Sequence, residues 1–159
     1  MTWDIVGAVV WGVVVAGAWA LLTELSPWYH ALKRPSWQPP DWLFGPAWTV
    51  ILGAASVSLF MGLRHAPSPL LVAGLFVANG ALNLLWSPLF FKLRRPDWAL
   101  AEVPLLWLSI LVPILVLMPI SWIASVLLTP YLAWVSFAAF LNLTIVRLNR
   151  PFGANDLAF

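Results

Sequence analysis

Residues 74–91, GLFVANGALNLLWSPLFF, are nearly long enough to cross a membrane, yet this apolar run carries two amides. Asn79 and Asn83 are four residues apart and Trp86 follows three residues later, so on a helix the three side chains share one face. An amide in hydrocarbon needs a hydrogen-bond partner, and the face is therefore predicted to point into the protein rather than at lipid. We interpret it as one wall of a binding cavity.

The composition indicates a membrane protein. The chain of 159 residues is 62% hydrophobic and 9% charged, whereas a soluble domain carries roughly 25% charge. Five apolar stretches each approach the ~20 residues that cross ~30 Å of hydrocarbon. A backbone exposed to lipid must satisfy its own hydrogen bonds, which favours helices. The predicted fold is therefore all-α, a single domain built as a bundle of five transmembrane helices at about residues 3–23, 46–63, 69–91, 98–118 and 121–146.

The basic residues predict an orientation for this multi-pass protein. With five spans, one side holds seven basic residues and the other holds Arg64 alone, so the positive-inside rule places the C-terminus and the loop at residues 25–45 in the cytoplasm. The first span lacks a basic leading region and is too long for a cleavable signal peptide. The seven residues are Lys33, Arg34, Lys92, Arg94, Arg95, Arg147 and Arg150.

Small residues recur at every fourth position of the first span, at Ala8, Gly12, Ala16 and Ala20. Such a stripe lets another helix approach closely. Two interpretations are open: close packing within the chain, or the face of a dimer.

Residues 25–45, which we call the lid segment, are rich in proline and aromatic residues and cannot form one continuous helix. The segment is expected to fold over one end of the bundle, although an interfacial aromatic belt is an alternative. Its candidate lid residues are Trp28, Lys33, Arg34, Trp37, Pro39, Pro40 and Trp42.

Three local features lead to further expectations. Pro46 is a suitable first residue for the second span, and Asp97 is a plausible N-cap for the fourth. Glu102 lies near the first turns of the fourth span, where it either pairs with a basic loop residue or faces a ligand. On the fifth span, Trp134, Ala138, Leu141 and Asn142 share one face, which is either ordinary core or a cavity wall.

The candidate cavity combines aromatic rings with two amides, a composition typical of small-molecule pockets. Flat aromatic surfaces favour a flat apolar ligand, and Lys33 and Arg34 at the mouth suit carboxylates. A planar tetrapyrrole with acidic side arms suits the apolar pocket, the flat rings and the basic residues at the mouth, whereas a sterol suits only the apolar pocket. The residues brought together are Trp48, Asn79, Asn83, Trp86 and Trp134.

Other chemistry finds little support in the sequence. Cysteine is absent, and His30 and His65 lie on opposite predicted sides, so no metal site is predicted. No nucleophilic triad, paired carboxylates or phosphate-binding loop is visible, and no cofactor is required. The basic residues sit at membrane edges, which fits lipid headgroups better than nucleic acid.

Three longer strings carry a family resemblance: KRPSWQPPDWLFGPAWT at residues 33–49, ALNLLWSPLFF at 81–91 and PYLAWVSFAAFLN at 130–142. In order and spacing they resemble the TspO/translocator protein family, the tryptophan-rich sensory proteins. The resemblance implies five transmembrane helices around a pocket that opens toward the first long loop, often in a homodimer. It implies binding of porphyrin and haem and, in animal members, of cholesterol.

The resemblance also assigns pocket positions. It implies that Trp48, Asn79, Asn83, Trp86, Trp98, Leu105, Trp134, Ala138 and Leu141 line the ligand site. In animal members a sterol motif needs a tyrosine where this chain has Leu143, which argues against tight cholesterol binding.

Three functions remain open, in this order. The first is a membrane tetrapyrrole sensor or carrier. The second is an enzyme that degrades protoporphyrin in light and oxygen, in which Trp48 and Trp134 would flank the ring; no dedicated acid–base pair is present. The third is a sterol or small-molecule transporter, against which no inverted repeat is visible.

Overall fold

The computed structural model describes residues 2–152. Five helical segments in this range are long and apolar enough to cross a membrane, which confirms the all-α prediction. Two short helices, α2 (Pro27–Ala31) and α6 (Trp122–Val126), precede the second and the last long helices. The long helices are α1 (Thr2–Leu22), α3 (Asp41–His65), α4 (Pro69–Ser87), α5 (Pro96–Leu117) and α7 (Thr129–Asn149).

Two helix starts differ from the sequence-based expectation. Helix α3 begins at Asp41, ahead of Pro46, because an acidic residue in the first turn is favourable and Pro46 forfeits only one bond there. Helix α5 begins at Pro96, so Asp97 is not its N-cap. Instead, the Asp97 carboxylate accepts a 2.8 Å hydrogen bond from Arg95 Nε.

The end of α4 widens into a π-helical turn, Pro88–Lys92. Proline has no N–H to continue the α-helical pattern, and the next bond is the longer-range one from Leu93 N to Pro88 O, at 2.8 Å. This turn lies between α4 and α5 and carries two aromatic rings, Phe90 and Phe91, that reach the cavity described below.

Helix α1 packs against α3 and α4 through its small residues. Ala8 is buried, and a methyl group added at Gly12 would collide with Ser56 of α3. On the adjoining face, Trp11 Nε1 donates a 2.7 Å hydrogen bond to the carbonyl of Phe76 in α4. Of the two interpretations of the small-residue stripe, the structure supports close packing within the chain.

Two buried serines hold α6 in place before the chain turns into α7. Ser58 Oγ donates to the carbonyl of Ala124, and Ser125 Oγ donates to the carbonyl of Ile114, each at 2.7 Å. These bonds tie the start of the last span to α3 and α5. They therefore help to set the face that α7 presents to the interior.

Candidate functional site

The lid segment is tied to the end of α7. Lys33 N donates to Asn149 Oδ1 at 2.8 Å, and Asn149 Nδ2 donates back to the Lys33 carbonyl at 2.9 Å. The Trp37 ring stacks on Phe140, with 5.2 Å between ring centroids. The segment is thus an ordered structure that lies across one end of the bundle.

This segment contains a polar cluster of four residues, Tyr29, Arg34, Gln38 and Asp41, which we call the lid cluster. Tyr29 donates a 2.9 Å hydrogen bond to Asp41 Oδ1, and Gln38 Nε2 donates to the Tyr29 hydroxyl at 3.0 Å. Arg34 Nη1 lies 3.3 Å from both Asp41 oxygens, and its guanidinium sits 5.0 Å from the centre of the Tyr29 ring. Burial, followed by the neighbouring Asp41 carboxylate, raises the pKa of Tyr29 above its ordinary value.

Beneath the lid segment lies a cavity of about 280 Å³. All five long helices and the π-helical turn contribute to it, and its wall is mainly apolar. The polar side chains in the wall are few and come from Thr23, Tyr29, Gln38, Asp41, Asn83 and Asn142. The apolar side chains are those of Trp19, Ala20, Leu25, Phe44, Trp48, Trp86, Phe90, Phe91, Val103, Leu106, Trp134, Val135, Ala138, Leu141 and Ile145, and Gly45 also borders the space.

Aromatic rings hold one another in position around the cavity. Trp48 lies between Trp19 and Tyr131, with centroid separations of 5.8 and 5.7 Å. Trp134 meets Phe44 edge-on at 5.7 Å. On the α4 side, Trp86 and Phe90 stack at 4.9 Å. Rings fixed in this way present stable flat surfaces to a ligand.

The two amides of α4 separate in the structure. Asn83 lines the cavity and its Nδ2 donates to the Tyr131 hydroxyl at 2.8 Å. Asn79 is also buried, but its Nδ2 donates to Ser109 Oγ of α5 at 2.9 Å. The amide face points inward, as the sequence predicts, but Asn79 serves the contact between helices and does not line the cavity.

Six of the nine predicted pocket residues line the cavity, and three do not. Trp98 and Leu105 are 51% and 58% exposed, and the Trp98 ring instead packs 4.4 Å from the Arg95 guanidinium carbon. Helix α5 turns Val103 and Leu106 inward, about a third of a turn away from the face that Trp98 and Leu105 share. The six that line it are Trp48, Asn83, Trp86, Trp134, Ala138 and Leu141.

The candidate lid residues lie outside the cavity wall. Arg34 is held by Asp41, and the Lys33 side chain is exposed. Other residues of the same segment supply the wall instead, with Tyr29, Gln38 and Asp41 turned inward. The seven that do not line the cavity are Trp28, Lys33, Arg34, Trp37, Pro39, Pro40 and Trp42.

Glu102 meets neither sequence-based expectation. It is 7% exposed, it is absent from the cavity wall, and both of its carboxylate oxygens are buried without a hydrogen-bond partner. The ion pairs found within residues 2–152 join Arg34 to Asp41 and Arg95 to Asp97. Arg95, the basic residue nearest to Glu102 in sequence, therefore pairs with Asp97.

Several wall residues were missed from the sequence, although two of them carried a signal. Trp19 follows Trp11 and Val15 at four-residue intervals, and this spacing marks an inward stripe on α1. Asn142 lies on the same predicted face as Trp134 and Ala138. No periodic pattern identifies Gln38 and Asp41, because Gln38 lies in irregular backbone and Asp41 is the first residue of α3.

These features define a class: a multi-pass α-helical membrane protein with an aromatic cavity beneath an ordered lid. The sequence model of the TspO/MBR family matches residues 5–148, and the chain belongs to that family. It is 42% identical over 128 residues to the tryptophan-rich protein TspO of Chlorobaculum tepidum, covering 78% of this chain and 81% of the relative.

Two further relatives support the same family assignment. Identity is 37% over 138 residues to the protein CrtK of Rhodobacter capsulatus, covering 84% of this chain and 86% of that protein. The chain is 32% identical over 127 residues to the human translocator protein, and the match covers 77% of this chain and 75% of that protein. The predicted family is therefore confirmed, while the orientation in the membrane stays a prediction.

Proposed function

We propose that this chain is a membrane-embedded binding protein for a planar tetrapyrrole and acts as a sensor or carrier. One observation supports the proposal above all: a cavity walled by aromatic rings from α1, α3, α4 and α7 and from the π-helical turn. Rings of this kind stack on a flat macrocycle. The names of related proteins, tryptophan-rich sensory protein in Cereibacter sphaeroides and translocator protein in human, are consistent with sensing and with carriage.

The wall suits a metal-free porphyrin better than haem. Among the described residues that line the cavity there is no histidine, cysteine or methionine to ligate iron. The Tyr29 hydroxyl is already engaged with Asp41 and Gln38. A porphyrin without metal needs only stacking surfaces and a site for its acidic side arms.

Size and charge indicate how such a ligand would sit. The cavity of about 280 Å³ lies near the lower end of small-molecule pockets, which begin at ~300 Å³. A complete macrocycle is larger, so part of it must displace the lid segment. Its carboxylates would then compete with Asp41 for Arg34, which is 29% exposed in its present pairing.

Quenching of tryptophan fluorescence by protoporphyrin, in nanodiscs and dim light, tests the proposal. Trp134→Ala removes one wall ring and should weaken saturable quenching about 2- to 12-fold, because an aromatic pair contributes ~0.5–1.5 kcal/mol. Asn83→Leu should also weaken it. Trp98→Ala is the matched control, since it removes an indole outside the cavity. Quenching that does not saturate, or equal affinities in all proteins, would contradict the proposal.

A second titration tests the side arms. Arg34→Ala should weaken binding of protoporphyrin but not of its dimethyl ester, because only the acid carries carboxylates for the guanidinium. Equal effects on acid and ester would show that Arg34 merely holds the lid segment.

Porphyrin degradation is the second candidate, because Trp48 of α3 and Trp134 of α7 line the same cavity. A bound porphyrin would sensitise oxygen on illumination, next to two oxidisable indoles. The double variant Trp48→Phe and Trp134→Phe keeps stacking surfaces. If it retains binding while light-dependent loss of porphyrin stops, the enzyme function is supported; if loss continues unchanged, the indoles have no part in it.

A further inference from the structure

Three buried oxygen atoms on α4 and α5 lack a hydrogen-bond donor. They are Oε1 and Oε2 of Glu102 in α5 and Oδ1 of Asn83 in α4. Glu102 is 7% and Asn83 is 2% exposed. All three atoms are acceptors if the carboxyl group is ionised, so this part of the interior has a surplus of acceptors.

The helix register brings Glu102 within reach of Asn83 across the contact between α4 and α5. Helices α4 and α5 are joined by a short connection and run antiparallel, and the bond from Asn79 to Ser109 aligns them. From that pair, Asn83 lies four residues, about 6 Å, further along α4, and Glu102 lies seven residues, about 10.5 Å, back along α5. The two residues therefore differ by about 4.5 Å along the helix axes, which a glutamate side chain can span. Tyr131 of α7 lies near both residues: Asn83 Nδ2 donates to its hydroxyl, and Glu102 is close enough to act on it electrostatically without a direct contact.

Within residues 2–152, Glu102 has no compensating charge. No charged side chain among the described residues acts on its carboxyl group. On α7 the titratable group close enough to act on it electrostatically is the neutral Tyr131 phenol, and α4 carries the amides of Asn79 and Asn83. An ionised carboxylate in the hydrocarbon region without a cation or donor is strongly disfavoured.

We propose that Glu102 is a resident proton-binding site inside the membrane, and that its carboxylic acid donates a hydrogen bond to Asn83 Oδ1. One proton removes the uncompensated charge and supplies the missing donor. The result is a continuous network from Glu102 through Asn83 to Tyr131, which fixes the Asn83 amide with Nδ2 toward α7. This network exists without any ligand and so goes beyond the proposed function.

The sequence makes a direct test simple, because the chain contains two glutamates, Glu24 and Glu102. Glu24 is exposed and lies between α1 and α2, so it is an internal reference. Glutamate labelled with ¹³C at the side-chain carboxyl is incorporated into the full chain, and carbon NMR spectra are recorded in nanodiscs without ligand. Glu24→Gln assigns the two resonances by elimination and leaves Glu102 intact.

At about pH 7 the Glu24 resonance should be that of a carboxylate and the Glu102 resonance that of a carboxylic acid. Asn83→Leu should shift the Glu102 resonance, since the acid then loses its acceptor, whereas Thr144→Ala, which alters an exposed hydroxyl, should not. Two carboxylate resonances at about pH 7 would overturn the proton site, and a Glu102 signal unmoved by Asn83→Leu would overturn the bond to Asn83.

Discussion

The Nδ2 of Asn83 donates a 2.8 Å hydrogen bond to the hydroxyl of Tyr131, and this bond joins α4 to α7 beside the cavity. Tyr131 is 1% exposed and its ring also supports Trp48 edge-on, with 5.7 Å between centroids. The same tyrosine therefore orients one polar and one aromatic residue of the cavity wall.

Tyr131→Phe should destabilise the protein by about 1 kcal/mol, because polar pairs between membrane helices contribute roughly 0.6–1.7 kcal/mol. The ring still supports Trp48, so the loss is that of the hydroxyl alone. A double-mutant cycle with Asn83→Leu, measured by thermal or denaturant unfolding in detergent, isolates the pair. Strictly additive effects would show that the bond contributes nothing to stability.

Ala138→Leu should fill part of the cavity and weaken ligand binding with little loss of stability. Ala138 lines the cavity, so a larger side chain there occupies open space rather than packed core. Ala133→Leu on the exposed side of the same helix is the control. Binding measured by protoporphyrin quenching should fall in the first variant only; an equal response in both would place the ligand elsewhere.

The lid cluster should loosen at high pH. Burial and the Asp41 carboxylate raise the pKa of Tyr29 above its ordinary value near 10. The stabilisation from the protonated hydroxyl is thus complete below that ordinary pKa and is lost as the pH rises through the raised one. Protease cleavage within residues 26–40 should increase over that range, and Tyr29→Phe should remove the dependence.

Absorbance measures this titration directly, because the chain contains two tyrosines and Tyr131→Phe leaves only Tyr29. The tyrosinate midpoint should lie above the ordinary value of about 10. Asp41→Asn should lower it, since the carboxylate disfavours the phenolate. A midpoint that ignores Asp41→Asn would show that burial alone sets the pKa.

Gly12→Leu should destabilise the bundle by about 1–3 kcal/mol, the usual consequence of overpacking. Any side chain at Gly12 meets Ser56 of α3, whereas a Cβ at Gly17 of the same helix meets no atom within 4 Å. Gly17→Leu is therefore the matched control and should be nearly neutral. Unfolding midpoints that fall equally in both variants would indicate a general effect of leucine in α1.

Much of the fold follows from local pattern. Hydrocarbon requires each span to be a helix of suitable length, so five spans could be read from the apolar runs. It also requires amides to have partners, so the inward direction of Asn79 and Asn83 was predictable. Spacing also showed that Trp134, Ala138 and Leu141 share one face of α7. The choice between core and cavity wall for that face, and the assignment of Trp48 of α3 to the family's pocket, rested on the family resemblance.

The remainder depended on how the helices pack. Periodicity shows which residues share a face, but it does not show which neighbour that face meets. Tertiary packing alone decided that Asn79 turns to Ser109 while Asn83 turns to Tyr131, and that α5 presents Val103 and Leu106 rather than Trp98 and Leu105. It also left Glu102 without a partner, because its surroundings come from distant helices. The sequence by itself determined the membrane bundle and its inward amides, because solvation acts on each segment separately. The rotation of each helix and the inner side of the lid segment were decided only by the tertiary structure, because they depend on contacts between segments far apart in the chain.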